Sequence, residues 1–133
     1  MATTPALIPP EFVIRGQSWV VSLTTEQNGS PVDLSPVPRS VRLRVGVSAD
    51  GLSAIFTRTK GVPGETYFPD LAGGVDGRVD FLFSSADTLN SLFVAGKWYD
   101  IEFVFTDTST TPQTKTVWAR GSVFVVGPNT GPI

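Results

Sequence analysis

The chain has 133 residues, ten basic and twelve acidic side chains, and neither cysteine nor histidine. One domain of this length can bury about two-thirds of the surface that its unfolded chain exposes, and the missing residue types exclude disulfides, thiolate metal ligands and the commonest general base. A net charge of −2 provides no field that would attract nucleic acid or an anionic membrane. Because the usual metal ligands and the usual general base are missing, we expect a non-enzymatic domain with no catalytic residue, no cofactor and no metal site.

The first eleven residues contain three prolines, which favour an extended arm. The apolar run formed by Leu7 and Ile8 is too short for a signal peptide or a membrane span, and we expect neither. Residues 1–11 are therefore predicted to form an N-terminal arm in which Leu7 and Ile8 contact a neighbouring subunit.

Two strand segments are predicted next, a short one at Phe12 and Ile14 and a longer one over residues 18–24. The longer segment alternates with period two, which places three apolar side chains on one face: Trp19, Val21 and Leu23. The pair Asn28-Gly29 then tolerates positive φ and predicts a hairpin or a wider turn.

Residues 41–47 alternate without exception and are the clearest strand of the sequence. The inward set is Val41, Leu43, Val45 and Val47. Arg42 and Arg44 point outward, where they can pair across strands with Asp80, Asp100 or Glu102. An ordinary solvated face is the favoured interpretation, because exposed ion pairs are weak. Asp50-Gly51 predicts a second hairpin, so that residues 52–59 fold back on this strand. Two registers remain open, one with Ala54 and Phe56 inward and one with Ser53 and Ile55 inward.

Residues 60–77 carry five glycines and two prolines with little periodicity, and we predict a long loop. Loops of this kind are often contact surfaces, so Tyr67 and Phe68 are candidate assembly contacts. Asp70 and Asp76 lie around two glycines and offer oxygen ligands for calcium, but their spacing lacks the alternating pattern of a calcium loop. A role in turns is the favoured interpretation of both carboxylates.

The next segment is predicted to be a strand followed by a short helix. Val79, Phe81 and Phe83 alternate and point into the core. Ser84 or Ser85 can then cap a helix that runs to Leu92, because a serine hydroxyl accepts from the free amides of a first turn. Three apolar side chains would anchor this helix over one end of the domain: Leu89, Leu92 and Phe93.

Two long strands complete the predicted domain. The first follows Gly96 and has four inward side chains: Tyr99, Ile101, Phe103 and Phe105. The second runs over residues 115–126 with an inward set of small and apolar residues: Val117, Ala119, Gly121, Val123 and Val125. Trp98 and Trp118 are out of phase with these sets, so both are predicted on the opposite face, where a partner subunit or a ligand would cover them.

These patterns predict an all-β fold, an immunoglobulin-like antiparallel β-sandwich of about seven or eight strands with one short helix. The domain is expected over residues 12–126. Extended arms are expected at 1–11 and 127–133.

The order of several short motifs resembles that of a known family. Arg15-Gly16-Gln17-Ser18-Trp19 and, after a polar turn, Pro31-Val32-Asp33-Leu34-Ser35 resemble the opening of the N-terminal domain of phage baseplate upper proteins and related small tailed-phage structural proteins. Gln17-Ser18 stands where those chains have an Asp-Thr-like pair. Gly77-Arg78-Val79-Asp80-Phe81, residues 96–102 and Gly121-Ser122-Val123 extend the resemblance over residues 12–126.

This resemblance implies an immunoglobulin-like structural protein of a tailed bacteriophage virion, made in the bacterial host cytoplasm and placed in the tail, baseplate, neck or capsid decoration. Its expected partners are other virion proteins and copies of itself, with no nucleic acid and no membrane. The predicted assembly contacts are Leu7, Ile8, Tyr67, Phe68, Trp98 and Trp118. The alternative is a carbohydrate-binding or host-recognition module, since exposed tryptophan and tyrosine rings can stack on sugars.

Overall fold

The computed structural model describes residues 6–27, 29–47, 54–70, 73–109, 111–112 and 114–127, and this part of the chain is nearly all β-structure. Its eleven strands are β1 (Ala6–Leu7), β2 (Glu11–Ile14), β3 (Trp19–Thr24), β4 (Glu26–Gln27), β5 (Ser30–Pro31), β6 (Arg39–Gly46), β7 (Ala54–Thr59), β8 (Thr66–Tyr67), β9 (Arg78–Phe83), β10 (Trp98–Asp107) and β11 (Thr114–Val126). Within the described ranges, no helix is long and apolar enough to cross a membrane.

The strands form a larger sheet, a smaller sheet and a hairpin. The larger sheet has the order β1-β11-β10-β6-β7, with β2 also paired to β11, and the smaller sheet has the order β3-β9-β8. The strands β4 and β5 form the hairpin. Neighbouring strands are antiparallel except that β1 and β2 run parallel to β11.

The two sheets enclose one hydrophobic core. Phe81 of the smaller sheet meets Phe103 of the larger sheet edge to face, with ring centroids 5.7 Å apart. The predicted inward positions that are confirmed as buried are Trp19, Val21, Val41, Leu43, Val45, Val79, Phe81, Phe83, Tyr99, Ile101, Phe103, Phe105, Ala119, Val123 and Val125. Phe56 is also buried, which selects its register for β7, although Ala54 is exposed.

Two predicted core positions are wrong because the strands carry irregularities. The pairing of β6 with β7 shifts between Val45 and Gly46, and Val47 beyond this shift is 63% exposed. In β11 an extra residue, Trp118, interrupts the pairing with β10, so Val117 lies opposite Val104. The period-two pattern does not continue through a bulge.

The predicted short helix is wrong in length. Only a 3₁₀ turn over Asp87–Leu89 forms, and Ser84 and Asp87 exchange hydrogen bonds between their side chains and amides at its start. The Asn90 side chain then accepts from the amide of Leu92, a local bond that competes with helix formation. Phe93 is buried as predicted, whereas Leu89 and Leu92 are 52% and 63% exposed.

The predicted loop 60–77 and the predicted N-terminal arm each contain residues that pair with a sheet. Inside the loop 60–77, β8 pairs with β9. In the predicted N-terminal arm, β1 pairs with β11, and the amide of Ile8 donates to the carbonyl of Arg120 at 2.7 Å. The β4–β5 hairpin spans the predicted Asn28-Gly29 turn, and Gly29 has φ +79°. Asn28, the Asp50-Gly51 turn, residues 1–5 and residues 128–133 lie outside the described residues.

Candidate functional site

Three aromatic rings cluster on the solvent side of the larger sheet. The ring centroids of Phe12 and Trp98 are 5.8 Å apart, those of Trp98 and Phe124 are 5.1 Å apart, and those of Phe12 and Phe124 are 6.3 Å apart. Phe12 is 65% exposed and Trp98 is 53% exposed. These rings contact one another, but neither sheet covers them.

Strand register explains why these rings lie together on the outside. Phe124 is directly opposite Trp98 on β10 and directly beside Phe12 on β2. Side chains alternate between the two faces of a strand, and paired residues share a face. The neighbours Tyr99, Val123 and Val13 point into the core, so the three rings must point outward.

The same face carries two further apolar side chains. Ile14 is paired with Val126 two residues beyond the Phe12–Phe124 pair, and they are 40% and 37% exposed. We call the five side chains Phe12, Ile14, Trp98, Phe124 and Val126 the outer patch. Apolar residues that are adjacent on one exposed face mark interaction surfaces, whereas single exposed apolar residues do not.

A groove continues the outer patch along the strands. Asp100 and Ser122 form the next pair on the outward face after Trp98 and Phe124. From there the groove extends over β6 and β7 under the segment Pro9–Pro10, with a volume of about 500 Å³. On the core side of β11, Ile8 packs directly on Gly121. A Cβ atom added to Gly121 would lie only 2.8 Å from the Cβ of Ile8. Glycine at 121 therefore lets the segment before β2 lie close to the sheet.

A row of charges forms the floor of the groove. Glu102 lies between Arg44 and Arg120, with nitrogen–oxygen distances of 3.8 Å and 3.5 Å. The sequence offered three acidic partners for the outward arginines beside the favoured interpretation of a solvated face, and the register sets Arg44 opposite Glu102. Asp100 also lines the groove and has no ion pair among the described residues, so the lining offers both signs of charge.

The six predicted contact residues do not form one surface. Leu7, which is 86% exposed, lines the groove, and Trp98 belongs to the outer patch, so these two share one face. Tyr67 is 56% exposed but lies on β8 of the smaller sheet. The other three residues pack partly against the core: Ile8, Phe68 and Trp118.

Trp118 is on the wrong face for the predicted contact with a partner. Its ring stacks on that of Phe105, with centroids 4.6 Å apart and an interplanar angle of 17°. The bulge in β11 turns it to the side of Phe103 and Phe105. The sequence therefore placed Trp98 correctly and Trp118 incorrectly.

Asp70, one of the two carboxylates considered for calcium, has a turn role. Asp70 accepts hydrogen bonds from the amides of Gly74 at 2.5 Å and Asp76 at 3.0 Å. These bonds hold the pKa of the Asp70 carboxyl below its usual value. Among the described residues, no group of three or more His, Cys, Asp and Glu side chains is placed to hold a metal ion.

Sequence reasoning missed four members of the outer patch: Phe12, Ile14, Phe124 and Val126. A signal for two of them was present in the unbroken apolar run at the end of β11, where Val123 and Val125 alternate with Phe124 and Val126. A strand whose inward and outward residues are both apolar has apolar surface on both faces of the sheet, and each face favours a covering partner. The parallel pairing that brings Phe12 and Ile14 beside this run has no local signature.

Comparisons of the sequence with protein-family models and with curated proteins found no match.

Proposed function

We propose that this protein is a non-enzymatic assembly module that binds the surface of another protein through the outer patch. The observation that carries the proposal is the exposed cluster of Phe12, Trp98 and Phe124 on a sheet whose other face is already buried. Aromatic residues are enriched where protein interfaces bury most of their area.

The proposed fold is an immunoglobulin-like sandwich, and strand order supports it. In that fold the second, fifth and fourth strands face a sheet built on the seventh, sixth and third strands. Here β3-β9-β8 faces β11-β10-β6-β7, which is the same order once β1 and β2 are taken together as the first strand and β7 as the additional strand of the variable type.

A tyrosine at the start of β10 gives independent support for this fold. The Tyr99 hydroxyl donates to the carbonyl of Leu92 at 2.8 Å and accepts from the amide of Val94 at 2.7 Å. Immunoglobulin-like domains carry a tyrosine corner near the start of the corresponding strand, with its hydroxyl bonded to backbone a few residues upstream. Tyr99 would fix the turn that precedes Trp98 and so hold the outer patch in place.

We further propose that the partner is a component of a tailed-bacteriophage virion, or another copy of this chain within it. The support is the resemblance of residues 12–126 to the N-terminal domain of phage baseplate upper proteins. The groove beside the outer patch fits such a partner, because a side chain with a donor or a positive charge can meet Asp100 while an apolar one packs on Trp98.

The test is incorporation of a variant into particles. We expect Trp98→Ser to leave the domain folded and to reduce the number of copies per phage particle at least tenfold, measured by quantitative mass spectrometry of purified particles. The control is Val37→Ser, because Val37 is an exposed apolar residue, 94% exposed, that belongs neither to the outer patch nor to the predicted assembly contacts. Normal incorporation of Trp98→Ser would refute the role of the outer patch.

Carbohydrate recognition is a second candidate function, and the groove favours it. Asp100 and Ser122 provide hydrogen-bonding groups directly beside the exposed Trp98 ring, and sugar sites combine polar side chains with an aromatic platform. Saturable binding on a glycan array that is lost in Trp98→Ala would favour this function. If Trp98→Ala also leaves particle incorporation unchanged, Trp98 serves carbohydrate binding and not assembly.

A further inference from the structure

The strand β3 forms an edge of the smaller sheet that none of the described residues covers. It pairs with β9 on one side only, and its pairing is continuous from Trp19 to Thr24 without a bulge. Its six residues include no charge and no proline. Val20 is 49% exposed, and Ser22 and Thr24 are exposed as well.

The hydrogen-bond pattern shows which backbone groups of β3 face the open side. Just beyond the strand, the amide of Thr25 donates to the carbonyl of Gly77 at 2.9 Å. In an antiparallel pair the bonded positions recur at every second residue, so Trp19, Val21 and Leu23 bond to β9. The amides and carbonyls of Val20, Ser22 and Thr24 therefore point away from the sheet.

The strand β7, an edge of the larger sheet, is protected by side chains that bond to its outward backbone groups. The amide of Thr59 donates to the Glu65 carboxylate at 2.9 Å, and the carbonyl of Thr57 accepts from the Arg58 guanidinium at 3.1 Å. By the same alternation, Thr57 and Thr59 are the positions of β7 that face outward, since Lys60 bonds to Val41 of β6. Side chains thus bond to outward backbone groups of β7, whereas the outward amides and carbonyls of β3 have no such partner among the described residues.

The remaining edges are short. The strand β8 has two residues, and β1 and β2 have two and four residues separated by Pro9 and Pro10. Short strands and prolines are standard means of preventing edge pairing, as are charges and bulges. Among the strand edges that the structure describes, only β3 is six residues long and has no proline, no charge, no bulge and no covering segment.

We propose that β3 pairs with β3 of a second copy of this chain, antiparallel about a two-fold axis at Ser22. Ser22 is the middle one of the three outward positions. A two-fold axis at Ser22 therefore sets Ser22 opposite Ser22 of the second copy, and Val20 of each copy opposite Thr24 of the other. These cross-strand pairs are uncharged, and β-branched and hydroxyl side chains are favourable partners on a sheet. The contact joins two three-stranded sheets into one of six strands.

This contact is independent of the proposed function. The outer patch lies on the larger sheet, whereas β3 belongs to the smaller one, so a dimer formed through β3 leaves both outer patches uncovered. Pairing along one strand buries less area than a standard stable interface, so the dimer is expected to be weak and concentration-dependent. In a particle, weak contacts of this kind add up because many copies are held close together.

The test exploits the pairing of position 20 with position 24. Val20→Lys combined with Thr24→Lys places like charges opposite each other twice in the dimer, and so does Val20→Glu combined with Thr24→Glu. By sedimentation equilibrium up to about 1 mM, we expect the unaltered chain to dimerise and each variant to show at least a tenfold larger dissociation constant. An equal mixture of the two variants should dimerise again, because each lysine then meets a glutamate.

Recovery in the mixture also demonstrates that both variants are folded. The matched control is Thr57→Lys, an exposed position on the protected edge β7, which should leave dimerisation unchanged. A monomer at every concentration would overturn the proposal, and so would a dimer that persists in both variants. Trp98→Ser separates this contact from the proposed function, since it should leave the β3 dimer unchanged.

Discussion

Two aromatic clusters in this molecule have similar distances between ring centroids and opposite surroundings. In the inner cluster, ring centroids lie 4.7 Å apart for Trp19 and Phe83 and 5.1 Å apart for Phe93 and Tyr99. In the outer patch, the Trp98 and Phe124 centroids are also 5.1 Å apart. The inner rings are at most 6% exposed, whereas Trp98 is 53% exposed. Contact between rings is therefore a poor guide to what a cluster does.

The two clusters differ in the step at which their apolar surface is removed from water, which is folding for the inner cluster and binding for the outer patch. The inner rings lose their hydration on folding, so their apolar area stabilises the domain itself. Most of the area of Trp98 and Phe12 stays in water in the folded chain and is still available for binding. Substitutions in the inner cluster should thus act on the free energy of unfolding, and those in the outer patch on association.

The largest expected effect belongs to Phe93→Ala. Phe93 is fully buried, and its ring lies 5.2 Å from that of Phe56 and 6.1 Å from that of Trp19. Removing it creates a cavity and should lower the free energy of unfolding by about 3–5 kcal/mol, measured by denaturant titration. Leu92→Ala is the control, since Leu92 is the adjacent residue and 63% exposed. A loss below about 1 kcal/mol would show that the inner cluster is not the main support of this end of the core.

Tyr99→Phe should have a smaller effect on the same cluster. The substitution keeps the ring and removes the hydroxyl that bonds to Leu92 and Val94. Both backbone groups then lose a partner, so we expect a loss of about 1–3 kcal/mol in the free energy of unfolding. Faster amide hydrogen exchange at Val94 is the specific sign of the lost bond. Unchanged exchange there would contradict the role given to Tyr99 in holding the turn before Trp98.

The sequence predicted the inner cluster far better than the outer patch, and the reason is physical. A buried strand face repeats every second residue, so Tyr99, Ile101 and Phe103 could be assigned from spacing alone. The outer patch depends on which strands become neighbours. Nothing local to Phe12 indicates that β2 will pair in parallel with β11.

Irregularities account for most of the remaining errors. Trp118 has the same out-of-phase position as Trp98 in the sequence, yet one extra residue in β11 turns it onto Phe105. The predicted helix failed for a similar reason, because the Asn90 side chain bonds to the amide of Leu92 after a single turn. Bulges and local side-chain bonds change the direction of a chain without changing its hydrophobic pattern.

Trp98→Ser should have the smallest effect on stability and therefore sharpens the comparison most. Trp98 packs on Phe12 and Phe124 but keeps more than half of its surface in water, so we expect the free energy of unfolding to fall by only about 1 kcal/mol, the size of a partly exposed ring contact. The same denaturant titration that serves Phe93→Ala measures it. A loss as large as that of Phe93→Ala would mean that the outer rings support the fold, and poor particle incorporation of Trp98→Ser would then report unfolding instead of a missing contact. A small loss combined with failed incorporation assigns the outer patch to binding, because a folded domain would have lost its partner through one exposed ring.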